Sequence, residues 1–162
     1  MEEVIKVGMA DMNTCEPPKK ITTLGLGSCV GIVLYDEKTK LCGMIHIMLP
    51  DSTKIKNNSN RAKFADTAIE DMIIQMQQKG TDIKNLIAKI AGGAQMFSYG
   101  SGNSDFVRVG EKNVEAVKEI LNEKKIKIVA EDTGLNYGRT IIFNPNDGKL
   151  TVRSVGKAEL IL

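Results

Sequence analysis

The chain has no tryptophan, and phenylalanine and tyrosine bring its aromatic content to only 4%. Stacking platforms for single-stranded nucleic acid are therefore not expected. Its formal net charge of +2 over 162 residues gives no basic stripe for nucleic acid or anionic lipid. No apolar run approaches the roughly 20 residues needed to span a bilayer. The start, Met1-Glu2-Glu3, is acidic and unlike a secretory signal. Cysteines number three and histidines one. An odd set of thiols at 15, 29 and 42 does not read as a disulfide framework and points to a reducing cytoplasm. One histidine and no Cys-x-x-Cys leave no zinc pattern, and no metal or other cofactor is expected.

What is present is a chain that is 42% hydrophobic and long enough for one domain with a real core, here read as residues 1–162. Eight methionines suit an adaptable core or contact surface. The stretch of most interest is Thr23-Leu-Gly-Leu-Gly-Ser-Cys29, in which two glycines bring a cysteine to the mouth of the apolar run Val30 to Tyr35. A thiol at a bend, with the backbone N–H groups of Gly27 and Ser28 beside it, supplies a nucleophile and a candidate oxyanion site. The plainer reading is a buried free cysteine behaving as a small hydrophobe.

Acyl transfer through a thiol also requires a base, and with one histidine in the chain it must be His46. Asp36 to Lys40 has hairpin length between the strands Val30 to Tyr35 and Leu41 to Leu49. Cys42 would lie on the same strand as His46, with about 13 Å between their Cα atoms. Cys29 falls on the opposing strand at a similar distance from the turn, so the hairpin brings it close to His46. The residue that orients the imidazole is open among Thr22, Thr23, Asp51 and Asp132.

Along the chain, Val4 to Val7 and Ile21 to Leu24 read as strands. The polar segment 11–20 reads as a loop that exposes Cys15. Residues 51–60 are polar, and Asn60 is a plausible cap for an amphipathic helix of about 19 residues. Its methionines read as core. Leu86 to Ala91 is a strand, and Gln95 to Phe106 a loop whose Met96 and Phe97 are candidate partner contacts. A second helix covers Gly110 to Lys125. Ile126 to Ala130 is a strand, and Arg139 to Phe143 with Lys149 to Val155 form a hairpin. About nine strands in runs, with two central helices, predict an α+β fold: a layered sandwich of a mixed, largely antiparallel sheet under two long helices.

The motif Thr23-Leu-Gly-Leu-Gly-Ser-Cys29 with His46-x-Met-Leu-Pro50 resembles the CheD family of chemoreceptor glutamine deamidases. Lys63-Phe-Ala-Asp66, Lys89-Ile-Ala-Gly-Gly-Ala94, Val109-Gly-Glu-Lys-Asn113 and Glu131-Asp-Thr-Gly134 with Gly138-Arg139 fall in the family's order. The resemblance implies a cysteine-dependent protein-glutamine deamidase acting on the cytoplasmic helices of methyl-accepting chemotaxis receptors. By motif position Cys29 is then the nucleophile, His46 the base and acid, and Thr23 the group that orients His46. It further implies interaction with the CheC phosphatase; a monomer without membrane insertion is expected. Leu135 stands where the family's late loop usually has a second glycine. The alternatives are a non-catalytic adaptor for receptor or CheC, and a methylesterase-type acyl transfer.

Overall fold

The computed structural model describes residues 2–96 and 108–162. Among these residues ten strands and two α-helices follow in the order β1 (Val4–Val7), β2 (Asp11–Cys15), β3 (Lys20–Leu26), β4 (Val30–Asp36), β5 (Cys42–Ile47), α1 (Ala65–Gln78), β6 (Leu86–Gly92), α2 (Val109–Glu123), β7 (Lys127–Thr133), β8 (Arg139–Asn144), β9 (Lys149–Arg153) and β10 (Leu160–Ile161). They form two mixed five-stranded sheets, ordered β1-β3-β8-β9-β10 and β2-β5-β4-β6-β7. The pairs β1–β3 and β6–β7 are parallel and the others antiparallel. The architecture is the α+β sandwich the element order predicts, with two sheets in place of one.

Three layers follow from where the apolar side chains point. Every residue of β4 and β5 is buried. Such strands carry near-continuous apolar runs because both faces are covered. One face, with Ile32, Leu34, Ile45 and Ile47, packs under the helices; the other, with Val33, Tyr35, Cys42 and Met44, meets the β3–β8 sheet. The α1 stripe Ala65, Ala68, Ile69, Met72, Ile73 and Met76 is buried at helical spacing. The methionines are core, as expected; Met72 packs where Gly43 has no side chain. Among the described residues no helix is long and apolar enough to cross a membrane.

Two local expectations are corrected. Cys15 does not sit in an exposed loop: it ends β2, is 3% exposed and lies opposite Cys42. Segment 11–15 has no apolar periodicity, but its ladder with β5 makes it an edge strand, so tertiary pairing overrides composition. The first helix has 14 residues, not about 19, and Asn60 caps a short 3-10 turn at Arg61–Lys63 instead. Buried Phe64 takes an extended backbone between the two, bridged in parallel to Leu49, and that pairing separates turn from helix.

Candidate active site

The β4–β5 ladder sets Gly31 opposite His46 and Val30 opposite Ile47. Cys29 lies two residues before Gly31 and therefore on the same face, diagonal to His46 and turned toward the second sheet. Gly31 is needed at this point. A Cβ there would meet Ile141 Cδ1 at 2.7 Å and Leu26 Cδ1 at 3.0 Å, so its absence lets the second sheet close over the imidazole.

That closure brings Thr23 of β3 to His46 of β5, with Oγ1 2.7 Å from Nδ1. The same hydroxyl donates to the Val7 carbonyl at 2.7 Å. A hydroxyl has one hydrogen, and a carbonyl can only accept. Thr23 thus gives its hydrogen to Val7 and accepts from Nδ1–H of His46. The neutral ring is fixed as the Nδ1–H tautomer, and its lone pair sits on Nε2. Among the described residues Nε2 has no hydrogen-bond partner, although His46 is completely buried. Burial also pushes the imidazole's pKa below the ordinary histidine value. The site therefore holds an oriented imidazole whose uncharged form burial favours and whose acceptor nitrogen is unused among the described residues.

Cys29 is 7% exposed, and burial raises its thiol pKa above the usual value, with its own backbone N–H a smaller opposing influence. Burial thus favours the uncharged forms of both groups, thiol and imidazole, over a thiolate–imidazolium pair.

The loop carrying Cys29 is held through its carbonyls. Ala94 N–H donates to Gly27 O at 2.8 Å, Asn113 Nδ2 to Ser28 O at 2.9 Å, and Gly93 N–H to Cys29 O at 2.8 Å. Gly92, with a φ of +109°, lies against the Cys29 carbonyl where any Cβ would collide with it. The N–H of Gly27 is already engaged with Gly25 O at 3.1 Å. Among the described residues that of Ser28 has no main-chain acceptor, and that of Cys29 has none beyond its own sulfur.

The other candidate orienting groups are committed elsewhere. Thr22 donates to Ile141 O. Asp51 accepts from the backbone and hydroxyl of Thr53. Asp132 pairs with buried Arg139, Nε to Oδ2 at 2.9 Å. Cys42 is fully buried against Cys15 at the far end of the hairpin, and the Cys15 contact together with burial drives its pKa far up. Met96 is 46% exposed and packs over Gly27; Phe97 lies outside the described residues. Among the described residues no three His, Cys, Asp or Glu side chains gather as they would around a metal ion.

Sequence reasoning missed Asn113 as a site-forming residue. It lies on the buried face of α2 with Gly110, Val117 and Leu121. A polar residue on an otherwise apolar stripe is the signal that marks it.

Comparison with known proteins places these residues among close relatives. Residues 48–154 match the family described as CheD chemotactic sensory transduction. A protein of Lachnoclostridium phytofermentans, named probable chemoreceptor glutamine deamidase CheD, is 64% identical over 159 residues, covering 98% of each chain. The chemoreceptor glutamine deamidase CheD of Halalkalibacterium halodurans is 53% identical over 160 residues, again 98% of each. A probable chemoreceptor glutamine deamidase CheD of Caldanaerobacter subterraneus is 56% identical, covering 95% of this chain and 94% of its own. The family match begins just after His46, whereas the relatives run through the whole β3–β5 region.

Proposed function

This chain belongs to the CheD family, and we propose that it is a protein-glutamine deamidase of chemotaxis that converts chosen glutamines of methyl-accepting receptors to glutamate. The domain 1–162 acts as one catalytic unit, as a monomer, on receptor helices in the cytoplasm. It also engages the CheC phosphatase.

The chemistry proceeds through a thioester. As the glutamine side chain enters, Nε2 of His46 takes the Cys29 proton and the sulfur attacks the carboxamide carbon, forming a C–S bond. The carbonyl oxygen becomes an oxyanion, held by the N–H groups of Ser28 and Cys29. The imidazolium returns its proton to the leaving nitrogen, the C–N bond breaks, and ammonia departs. Water, deprotonated by the same nitrogen, attacks the thioester; its hydroxyl stays on carbon as glutamate and its proton ends on the sulfur. Thr23 keeps Nδ1 protonated throughout, so that Nε2 carries every transfer.

The observation that supports this reading best is the Thr23–His46 bond of 2.7 Å, which fixes a bare Nε2 on the face shared with Cys29. Mass spectrometry of a receptor cytoplasmic fragment after incubation with the protein tests it. Amide-to-acid conversion at particular glutamines, with release of ammonia, is expected. Release of methanol from methylated receptor, with glutamines intact, would replace deamidation by methylesterase action. No change in the fragment would leave an adaptor.

A further inference from the structure

We infer that Asn113 is a positioning residue of the reaction: by tethering the Ser28 carbonyl it turns the Cys29 N–H toward the developing oxyanion. The inference rests on the reading of Cys29 as nucleophile.

Asn113 is completely buried in α2. Burying a side-chain amide among apolar groups is costly unless its hydrogen bonds are made. Both hydrogens of Nδ2 are used, at 2.9 Å to Ser28 O and 3.0 Å to Met48 O. Since both partners are carbonyls, which only accept, the amide has one possible orientation. Its Oδ1 is buried without a partner among the described residues. A residue present for packing alone would carry no such unmet group, and leucine has nearly the same shape. What leucine lacks is the pair of donors.

The two carbonyls tie the donor to the chemistry. Ser28 precedes the thiol, and Met48 lies two residues beyond the imidazole. Continuing the β4–β5 register beyond Val30 and Ile47 sets Cys29 against Met48. One amide therefore bridges the two chain segments that hold the reacting groups together.

It also sets a direction. The only cis peptide bond among the described residues joins Pro17 to Pro18, so the Ser28–Cys29 peptide is trans. In a trans peptide C=O and N–H point opposite ways. With the Ser28 oxygen held toward α2, the Cys29 N–H faces away from the helix, where among the described residues it has no acceptor beyond its own sulfur. Main-chain donors fix the neighbouring carbonyls of Gly27 and Cys29. Among the described residues Asn113 supplies the one side chain that holds a carbonyl of this loop.

The test compares Asn113→Leu and Asn113→Asp with wild type on a receptor fragment, alongside alkylation of Cys29 by iodoacetamide. Alkylation proceeds at a saturated carbon and develops no carbonyl oxyanion. The inference expects kcat for ammonia release to fall roughly ten- to a hundredfold, the scale of a disturbed oxyanion donor. KM and the alkylation rate, with its pH profile, stay near wild type. Wild-type kcat in either folded variant overturns it, as does a parallel loss of alkylation and deamidation. Failure of both variants to fold assigns Asn113 to the scaffold and overturns it too. Activity surviving in Cys29→Ala would instead remove the underlying reading. An inactive Cys29→Ala beside fully active Asn113 variants would remove the inference alone.

Discussion

The β4–β5 hairpin carries a thiol at each end, both on the face turned to the second sheet. The turn end is closed. Cys42 is completely buried, lies opposite Cys15 in the β2–β5 ladder, and has a pKa pushed far up by that neighbour and by burial. The open end has a thiol that is also raised by burial, yet its surroundings differ in kind. On the face of Cys29, among the described residues, are an imidazole nitrogen without a partner, main-chain N–H groups of Ser28 and Cys29 with no main-chain acceptor, and a loop whose Gly27, Ser28 and Cys29 carbonyls are held. Burial treats the two thiols alike. What separates them is unsatisfied polar capacity, which the fold leaves at one end and removes at the other. Groups so left are costly in a structural core and useful in a reaction site.

The largest expected break in this comparison is Cys29→Ala. Ammonia release should drop to background while the thermal melt stays close to wild type, because only one sulfur is lost from a loop held by its carbonyls. Retained activity would transfer the chemistry elsewhere. Next is Thr23→Val, which keeps the shape but removes the acceptor for Nδ1–H and the donor to Val7. A fall in kcat of roughly a hundredfold is expected from a base that loses its orientation. Thr23→Ser, which keeps the hydroxyl, should recover most of it. Equal loss in both variants would point to packing by the methyl group.

A pH profile sharpens the same contrast. Nε2 works only unprotonated, and burial disfavours the imidazolium, so the acid limb of kcat should lie below the ordinary histidine value of about 6.5. An inflection above that value would mean a stabilised cation, as in a resting ion pair. The smallest expected effects are at the closed end. Cys42→Ala and Cys15→Ala should keep activity within about twofold while costing about 1 kcal/mol of stability, as small deletions from a packed interior do. Loss of turnover in either, with the fold intact, would reassign the nucleophile.

Much of this was legible before any coordinates. The hairpin is written in two apolar runs around a polar turn, and a single histidine forces any Cys–His pairing through residue 46. The layer of helices follows from the α1 stripe, whose spacing survives even though Phe64 shortens the helix. Other features were not legible, for a common reason. β2 exists because β5 offers a ladder to a polar segment, so composition misplaces Cys15. Periodicity cannot choose among Thr22, Thr23, Asp51 and Asp132, since the choice depends on how one sheet lies across the other. Asn113 reaches carbonyls 85 and 65 residues away, and main-chain oxygens leave no mark in side-chain patterns. Local pattern reports the element; the contact between elements decides which polar atom is left unused.

Because the chain has one histidine, its imidazole nitrogens can be observed without overlap by nitrogen-15 NMR of the intact protein across pH. The account predicts a protonated Nδ1 and a bare Nε2 at neutral pH, converting to the cation only below about 6.5. A protonated Nε2 in the neutral ring would contradict it, since no acceptor would then remain for the proton of Cys29.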